Sequence, residues 1–369
     1  MALRKIRLGE LIEQTNNTNS SLEFGINDVM GVTITKDVIP TKADIKDTDL
    51  SKFLIVKPKE FVYNPRTHGK KIGLGFNWGD KPFIITWNDI SFKIKDQKII
   101  IPEYLFMILN RNEWDRKACF DSWGSSTVVF SWESMCDIEI ELPDLPTQEK
   151  FVKVYLSMLE NQKSYERGLD DIKLVCDAYI EDLRKSKELR PLSKFLTRRM
   201  EKNKNFTVKK LLGVGKDGFI EPKQSKDETN GHICYLVKNG DFVFAPPQLH
   251  AGAIDYYQKA EVVKCSDAYI VFYINNEMEL DPFYLLMMLK NKNNQKKIWY
   301  FRDGVREQFD FDQLCELEIP VPLLIVQKSL AEIYKVYLTR KQINEQLKEQ
   351  IKNICPILIK GSIEEAKEA

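Results

Sequence analysis

The stretch that decides the fold is Leu54–Pro65, LIVKPKEFVYNP, because a similar stretch, YLVKNGDFVFAP, returns at Tyr235–Pro246. The offset between the two stretches is 181 residues. Further matches follow in the same order along the chain, with PEYLFMIL from Pro102 against PFYLLMML from Pro282, and CDIEI from Cys136 against CELEI from Cys315. The chain therefore consists of two copies of a unit of roughly 180 residues, and such a period is too long for a solenoid repeat.

The first part of each copy has the pattern of a small mixed domain. Short β-rich runs such as KFLIV, PFIITW and AYIVFYI alternate with Gly, Asn and Asp. One short helix is predicted around PEYLFMILNRN, which begins at Pro102. Short strands separated by turn residues predict an α/β domain of irregular plan.

The second part of each copy has the pattern of a long helix. Between Thr147 and Lys185 there is no proline and only one glycine, and Thr147 is a candidate cap. Apolar or aromatic residues recur at alternating steps of four and three, with Gln162 as the polar exception: Phe151, Tyr155, Met158, Tyr165, Leu169, Ile172, Cys176, Tyr179 and Leu183. This spacing predicts a heptad seam.

The second copy repeats the helical design and adds two polar seam positions, Arg340 and Asn344. Its apolar seam residues are Leu330, Ile333, Tyr337, Leu347, Ile351, Ile354 and Leu358. Two matching long helices in one chain most simply pair with each other as an antiparallel coiled coil. The alternative is two amphipathic helices that pack on separate globular cores.

The composition limits the class of protein. With 369 residues and 43% hydrophobic content, the chain can form two or more domains. Lys and Arg number 55 and Asp and Glu number 54, so any basic surface must be local. The seven cysteines are widely spaced without a CxxC pair, which indicates a reducing compartment, and the N-terminus turns polar too early for a signal peptide. We expect a cytoplasmic protein that contains no membrane span and no metal site.

Motifs typical of catalysis are absent or incomplete. The stretch GVGKDG at Gly213–Gly218 fits a phosphate-binding pattern, but FIEP follows it where a helix should begin, so a turn beside a strand is the better interpretation. YNPR at Tyr63–Arg66 lacks the second proline and the aromatic residue of adenine methyltransferases. No Walker lysine loop and no grouping of a nucleophile with histidine is found.

The order of these features resembles a known family. A variable domain ends in CDIEIELPDLPTQEKF before a long helix, and a second variable domain ends in CELEIPVP before another. IELPDLPTQ at Ile140–Gln148 is the most specific local sign; the second junction keeps Gln327 but has shifted prolines. The opening RKIRLGELIEQ and the stretch RPLSKFLTRR from Arg190 resemble the starts of two target-recognition domains. Over essentially its whole length, the chain resembles the specificity (S) subunit of type I restriction–modification systems.

The resemblance implies a fold with two tandem-repeat target-recognition domains of α/β (α+β) class. Two long helices would separate them and pair as an antiparallel coiled coil with pseudo-two-fold symmetry. We expect target-recognition domains at 1–146 and 188–324, a central spacer helix at 147–187, and a C-terminal spacer helix at 325–369.

The resemblance also implies the function and the partners. Each domain would read one half of a bipartite, asymmetric site in double-stranded DNA. The helices would set the spacer and dock two methyltransferase (M) subunits. The chain itself would bind no cofactor and catalyse nothing. S-adenosylmethionine, ATP and Mg would bind to partner subunits, which can include restriction (R) subunits.

The candidate DNA contacts lie where the two copies diverge. After the shared phrase the first copy reads RTHGKKIGLG and the second PQLHAGAIDY. A second pair of divergent segments precedes the Cys136 and Cys315 junctions. Arginine, lysine and glutamine side chains suit phosphates and base edges, and ordinary solvated loops are the alternative. The candidates are Arg66, His68, Lys70, Lys71, Ser125, Ser126, Thr127, Gln248, His250, Arg302, Arg306 and Gln308.

Two basic runs, RRMEKNKN from Arg198 and KNKNNQKK from Lys290, can add phosphate contacts or form solvated surfaces. The rival functions are a coiled-coil scaffold that binds protein rather than DNA and, less favoured, an enzyme with an unfamiliar site. The near-neutral net charge favours the scaffold to some extent.

Overall fold

The computed structural model describes residues 3–68, 71–122, 128–204, 207–221, 234–301 and 309–368. The chain divides into two compact units. Unit 1 contains Met1–Lys163 and Glu345–Ala369, and unit 2 contains Ser164–Asn344. Each long helix therefore contributes one segment to each unit. None of the helices in the described ranges is both long enough and apolar enough to span a membrane.

The described part of unit 1 begins with strands and short helices and ends in a long helix that continues into unit 2. The strands are β1 (Arg4–Arg7), β2 (Ile12–Thr15), β3 (Met30–Val32), β4 (Val38–Pro40), β5 (Leu54–Val56), β6 (Phe61–His68), β7 (Lys71–Phe76), β8 (Phe83–Ile85), β9 (Ile90–Ile94) and β10 (Glu139–Leu142). The helices are α1 (Leu8–Leu11), α2 (Pro102–Leu109), α3 (Asn112–Phe120), α4 (Trp132–Cys136) and α5 (Leu145–Ser186).

Unit 2 repeats this order. Its strands are β11 (Leu189–Pro191), β12 (Leu196–Arg199), β13 (Gly213–Gly215), β14 (Gly218–Ile220), β15 (Cys234–Val237), β16 (Asp241–Phe244), β17 (Ile254–Tyr256), β18 (Val263–Ser266), β19 (Ile270–Ile274) and β20 (Glu318–Pro320). Its helices are α6 (Pro282–Lys290), α7 (Lys292–Tyr300), α8 (Phe311–Glu316) and α9 (Leu324–Glu368), and α9 continues into unit 1.

The sheets of the two units have the same topology. The four-stranded sheet has the order β2-β9-β6-β7 in unit 1 and β12-β19-β16-β17 in unit 2. Three two-stranded pairings also recur, β1–β10 with β11–β20, β3–β4 with β13–β14, and β5–β8 with β15–β18. The pairings between these strands are antiparallel, so the predicted α+β class with two long helices is confirmed. The GVGKDG stretch forms the β13–β14 hairpin, a turn beside a strand as predicted.

A stacked pair of phenylalanines marks the same place in both cores. The rings of Phe61 and Phe92 lie 4.9 Å apart in unit 1, and those of Phe242 and Phe272 lie 5.0 Å apart in unit 2. All four side chains are fully buried. Each pair belongs to the apolar core of its unit, and burial of apolar area is the main favourable contribution to folding.

The short helix predicted around PEYLFMILNRN forms as α2, but the pattern did not predict α3, which follows it. Arg111 is extended between them. In unit 2 the same break falls at Asn291, whose side chain accepts a hydrogen bond from the Asn293 amide at the start of α7. An asparagine that caps the following helix favours such a break.

A buried glutamine joins each domain to its long helix. The Gln148 side chain donates to the carbonyls of Ile99 and Pro143 and accepts from the Ile101 amide, at 2.9–3.0 Å. In unit 2 the side chain of Gln327 makes the same three bonds, with Glu279, Pro322 and Asp281. This explains why both junctions keep glutamine although their prolines differ.

The helix segments within unit 1 run antiparallel. The Lys150 ammonium lies 2.5 Å from the Glu365 carboxylate, and the Tyr155 side chain bonds that of Cys355. In unit 2 the guanidinium of Arg340 lies 5.7 Å from the ring centroid of Tyr165.

Three details of the helix prediction are wrong. Helix α5 begins at Leu145, and its first turn is capped by Asp144, whose carboxylate accepts from the Thr147 amide; Thr147 is not the cap. Tyr179 is 52% exposed and Ile180 is buried in its place, since 3.6 residues per turn drift from a strict heptad. Arg340 is exposed rather than buried in the seam, whereas Asn344 is buried.

Candidate nucleic-acid interface

One backbone hydrogen bond brings the two divergent segments of each unit together. In unit 1 the Phe130 amide donates to the Pro65 carbonyl at 2.8 Å. In unit 2 the Phe309 amide donates to the Pro246 carbonyl at 3.2 Å. Both phenylalanines are buried, so the bond is anchored in the core. In each unit the segment after the shared FVYNP or FVFAP phrase therefore begins at the place where the segment before the Cys junction ends.

In unit 1 the first candidate segment is a β-hairpin rather than a loop. Arg66 and His68 belong to β6, and Lys71 begins β7 and pairs with His68. The register shifts between Tyr63 and Thr67, where Pro65 cannot donate to the ladder. Arg66 is exposed, so its guanidinium can reach a phosphate or a base edge.

A buried ion pair anchors this hairpin to α3. The Lys36 ammonium lies 2.6 Å from the Asp115 carboxylate and donates to the Ile72 carbonyl of β7 at 2.6 Å. Asp115 also accepts from the Ile72 amide at 3.3 Å. Burial lowers the pKa of Lys36, and the bond with Asp115 opposes this shift. The ion pair therefore holds the hairpin at Ile72, close to its turn.

In unit 2 the first candidate segment is a 3-10 turn, Pro246–Ala251. Gln248 is exposed, and its side chain is accessible to an adenine edge. His250 is half-buried, with its ring 4.7 Å from that of Trp299 and nearly perpendicular to it. Gly252 closes the turn at φ +85°, a conformation that favours glycine.

The remaining predicted contacts are not located by the structure. Lys70, Ser125, Ser126, Thr127, Arg302, Arg306 and Gln308 lie outside the described residues. Arg66, His68 and Lys71 share one hairpin, and Gln248 and His250 share one turn. Whether any of them touches DNA stays a prediction.

Some residues of the two basic runs are partly buried and contact other residues of unit 2. The Arg199 Nε donates to both carboxylate oxygens of buried Asp241, at 2.8–2.9 Å. Burial raises the pKa of Asp241, and the bond with Arg199 opposes that shift. Lys290 is half-buried, and burial lowers its pKa. Arg198 remains exposed.

Sequence reasoning missed the anchoring pair, Lys36 and Asp115. The two residues stand 79 positions apart, and no motif joins them. In unit 2 the position equivalent to Asp115 is Gln295, so the internal repeat gives no signal either. Across the described ranges, no group of three or more His, Cys, Asp or Glu side chains is placed to hold a metal ion.

Comparison with known proteins identifies the second half of the chain. Residues 185–353 match the family model described as type I restriction modification DNA specificity domain. This region is similar to that DNA specificity domain. The resemblance inferred from the sequence is thereby confirmed. The matched region includes β11 to β20 and the first part of α9.

One solved structure shares the fold of this chain. The S subunit of the type I restriction–modification system from M. genitalium is similar over 99% of this chain and 96% of that chain, with a TM-score of 0.58 and 12% identity. That likeness shows the shared fold. The HsdS subunit from Thermoanaerobacter tengcongensis aligns over 98% of this chain and 96% of that chain, with a TM-score of 0.38 and 12% identity. No curated protein matches the chain.

Unit 1 repeats the architecture of the matched region, although the match includes only residues 345–353 of this unit. Its strand order, its buried Gln148 and its Phe130–Pro65 bond all have counterparts in unit 2. Both units are therefore built to present two divergent segments side by side.

Proposed function

We propose that the chain is a sequence-specific DNA-recognition subunit of a type I restriction–modification complex. Each unit reads one half of a bipartite site in double-stranded DNA. The observation that carries this proposal is the repeated bond that joins the two divergent segments, Phe130 to Pro65 and Phe309 to Pro246. A frame kept in both copies, with surfaces that differ, fits two readers of different sequences.

The two presented surfaces differ in shape as well as sequence. Unit 1 offers a hairpin with exposed Arg66, and unit 2 offers a 3-10 turn with exposed Gln248. Arginine pairs best with guanine and glutamine with adenine in the major groove. The half-sites should therefore differ, and the whole target should be asymmetric.

The helices α5 and α9 set the spacer between the half-sites and dock two methyltransferase subunits. Helix α5 has 42 residues, and a helix of that length extends about 60 Å. The chain itself contributes recognition rather than catalysis. S-adenosylmethionine, ATP and Mg belong to the methyltransferase subunits and to any restriction subunits. Phosphate contacts from the methyltransferase subunits offset the chain's near-neutral charge.

Modified-base sequencing of the source genome, with and without this gene, tests the proposal. We expect a split, asymmetric motif with methyladenine in both halves that disappears on deletion. A parallel selection from duplexes with about 30 randomised base pairs, by the full chain co-expressed with its methyltransferase subunits, should enrich the same motif. Enrichment of no motif in the selection would contradict DNA recognition and favour the protein-binding scaffold.

An insertion in both helices tests the spacer role. One heptad is added to α5 after Tyr165 and one to α9 before Arg340, because these two residues contact each other. Seven residues preserve the heptad pattern and add about 10 Å of rise. We expect the spacer to lengthen by about three base pairs with both half-sites unchanged. An unchanged spacer would contradict the role of the helices.

A further inference from the structure

An exposed aromatic ring stands at the same position in both units. Phe120 ends α3 and is 81% exposed, and Tyr300 ends α7 and is 82% exposed. The two residues correspond at the offset of 180 that also relates α2 to α6. Single exposed apolar residues are common on protein surfaces. Two strongly diverged copies both have a large exposed ring at the equivalent position, which indicates a common role.

The backbone beside each ring is held by an equivalent hydrogen bond. In unit 1 the Ser134 hydroxyl donates to the Asp121 carbonyl at 3.2 Å. In unit 2 the Gln313 side-chain amide donates to the Phe301 carbonyl at 2.7 Å. Ser134 belongs to α4 and Gln313 to α8, the helices that follow the second divergent segment. Each ring is thus presented on a supported backbone.

Each ring belongs to a helix that contacts the candidate nucleic-acid interface. In unit 2, Trp299 precedes Tyr300 and contacts His250 of the 3-10 turn. In unit 1, Asp115 of α3 bonds the Ile72 amide in the candidate hairpin. Each ring also directly precedes the second divergent segment in the sequence.

A lysine three residues earlier accompanies each ring, Lys117 in α3 and Lys297 in α7. The Lys117 ammonium lies 5.6 Å from the Phe120 ring centroid and pairs with Asp121 at 2.9 Å. The Lys117 side chain is 51% exposed, so its ammonium can exchange Asp121 for a phosphate. A ring beside a cation suits a nucleic acid, which presents stacked bases between phosphates.

We propose that Phe120 and Tyr300 are equivalent aromatic DNA contacts, each packing against a base step within the half-site read by its own unit. This inference rests on the proposed function and adds two residues to the recognition surface. The ring would rest on, or wedge between, base faces, while the neighbouring lysine holds a phosphate. Because each unit has its own ring, the two contacts act on different halves of the target.

The test compares leucine and aromatic replacements in the full chain, co-expressed with its methyltransferase subunits. Phe120→Leu and Tyr300→Leu keep apolar bulk and remove the ring, whereas Phe120→Tyr and Tyr300→Phe keep the ring. Each complex selects from duplexes with about 30 randomised base pairs, and its affinity for the wild-type motif is then measured. We expect each leucine variant to bind about tenfold more weakly or worse and to lose sequence preference in one half-site only. The aromatic variants should retain wild-type binding.

Met278→Ala is the matched control. Met278 is 77% exposed in unit 2 and lies shortly after β19 ends at Ile274. The opposite end of β19, at Ile270, is the end that pairs with Phe244 beside the 3-10 turn. This variant should bind as the wild type does. Leucine variants that bind and select as the wild type does would overturn the inference and leave the proposed function intact. Leucine variants that fail only to retain methyltransferase subunits would also overturn it, since the rings would then contact protein. Enrichment of no motif by the wild-type complex would overturn the proposed function together with this inference.

Discussion

The candidate hairpin of unit 1 and the candidate turn of unit 2 begin from the same frame and end as different structures. Strand β6 continues for eight residues through Pro65, whereas β16 stops after four and leads into the 3-10 turn. The second proline, Pro247, accounts for the difference. Two successive residues without amide donors cannot extend a sheet ladder, but prolines fit the first turn of a helix.

The comparison separates what each unit must keep from what it can change. The sheet order, the buried glutamine and the bond to the proline carbonyl are the same. The polar anchor under the candidate segment differs. Unit 1 uses the Lys36–Asp115 pair, and in unit 2 the equivalent helix position is Gln295, next to Gly252. Recognition surfaces can therefore diverge on a constant core.

Exchange of a whole unit should have the largest effect. Replacing residues 1–146 with the corresponding domain of another specificity subunit should change one half-site and leave the other unchanged. Binding to the original motif should fall by about a thousandfold or more, the usual margin between specific and non-specific DNA binding. Modified-base sequencing of cells carrying the hybrid would measure this. A change in both half-sites would show that the two units do not read DNA independently.

Replacement of the buried glutamines should have the next largest effect, a loss of unfolding free energy. Gln148→Leu leaves the Ile101 amide and the carbonyls of Ile99 and Pro143 without their partner, at a cost of about 3 to 6 kcal/mol in unfolding free energy. Gln327→Leu should destabilise unit 2 similarly. Native-state hydrogen exchange, which reports the units separately, would measure both. A large effect in one unit alone would show that the two junctions are not equivalent.

The anchoring position should distinguish the units. Asp115→Ala leaves the Lys36 ammonium buried without its anion and should cost about 3 to 5 kcal/mol. Gln295→Ala, at the equivalent position, should cost under about 1 kcal/mol. Urea denaturation would compare them. The double replacement Lys36→Met with Asp115→Leu is the control, and it should recover most of the loss.

The Asp115→Ala loss should also depend on pH. Without Asp115, burial lowers the pKa of Lys36 further below its ordinary value of 10.5. Between the folded and the ordinary pKa, the unfolded chain binds more protons, so the unfolding free energy rises with pH. The deficit should therefore shrink as the pH approaches 10.5. A deficit that grows over this range would argue against a buried lysine charge.

Gly252→Ala should have the smallest effect. A Cβ there would require an alanine at φ +85° and would lie 2.9 Å from the Gln295 side-chain nitrogen. We expect a loss of about 1 to 2 kcal/mol, measured by thermal unfolding. Gly215→Ala is the control, because a Cβ at Gly215 meets no atom within 4 Å. Equal losses at both sites would mean that the turn does not need its left-handed residue.

The repeat and the long helices could be predicted because they depend on local patterns. Matching phrases gave the two units, and the spacing of apolar residues gave α5 and α9. The details of α5 that were predicted wrongly depend on the residues that pack around this helix. Ile180 replaces Tyr179 in the interior because residues 176, 180 and 183 pack into the core of unit 2. Asp144 caps α5 because its carboxylate faces the Thr147 amide, which spacing alone does not reveal.

The sequence by itself determined that the chain is a duplicated α+β protein with two long helices and that the copies diverge after the same phrase. A repeat and a helical period are visible in one dimension. Only the tertiary structure decided that Pro65 meets Phe130, that Lys36 meets Asp115, and that Trp299 lies on His250. These contacts join residues far apart in the chain, and backbone packing rather than any local motif selects them.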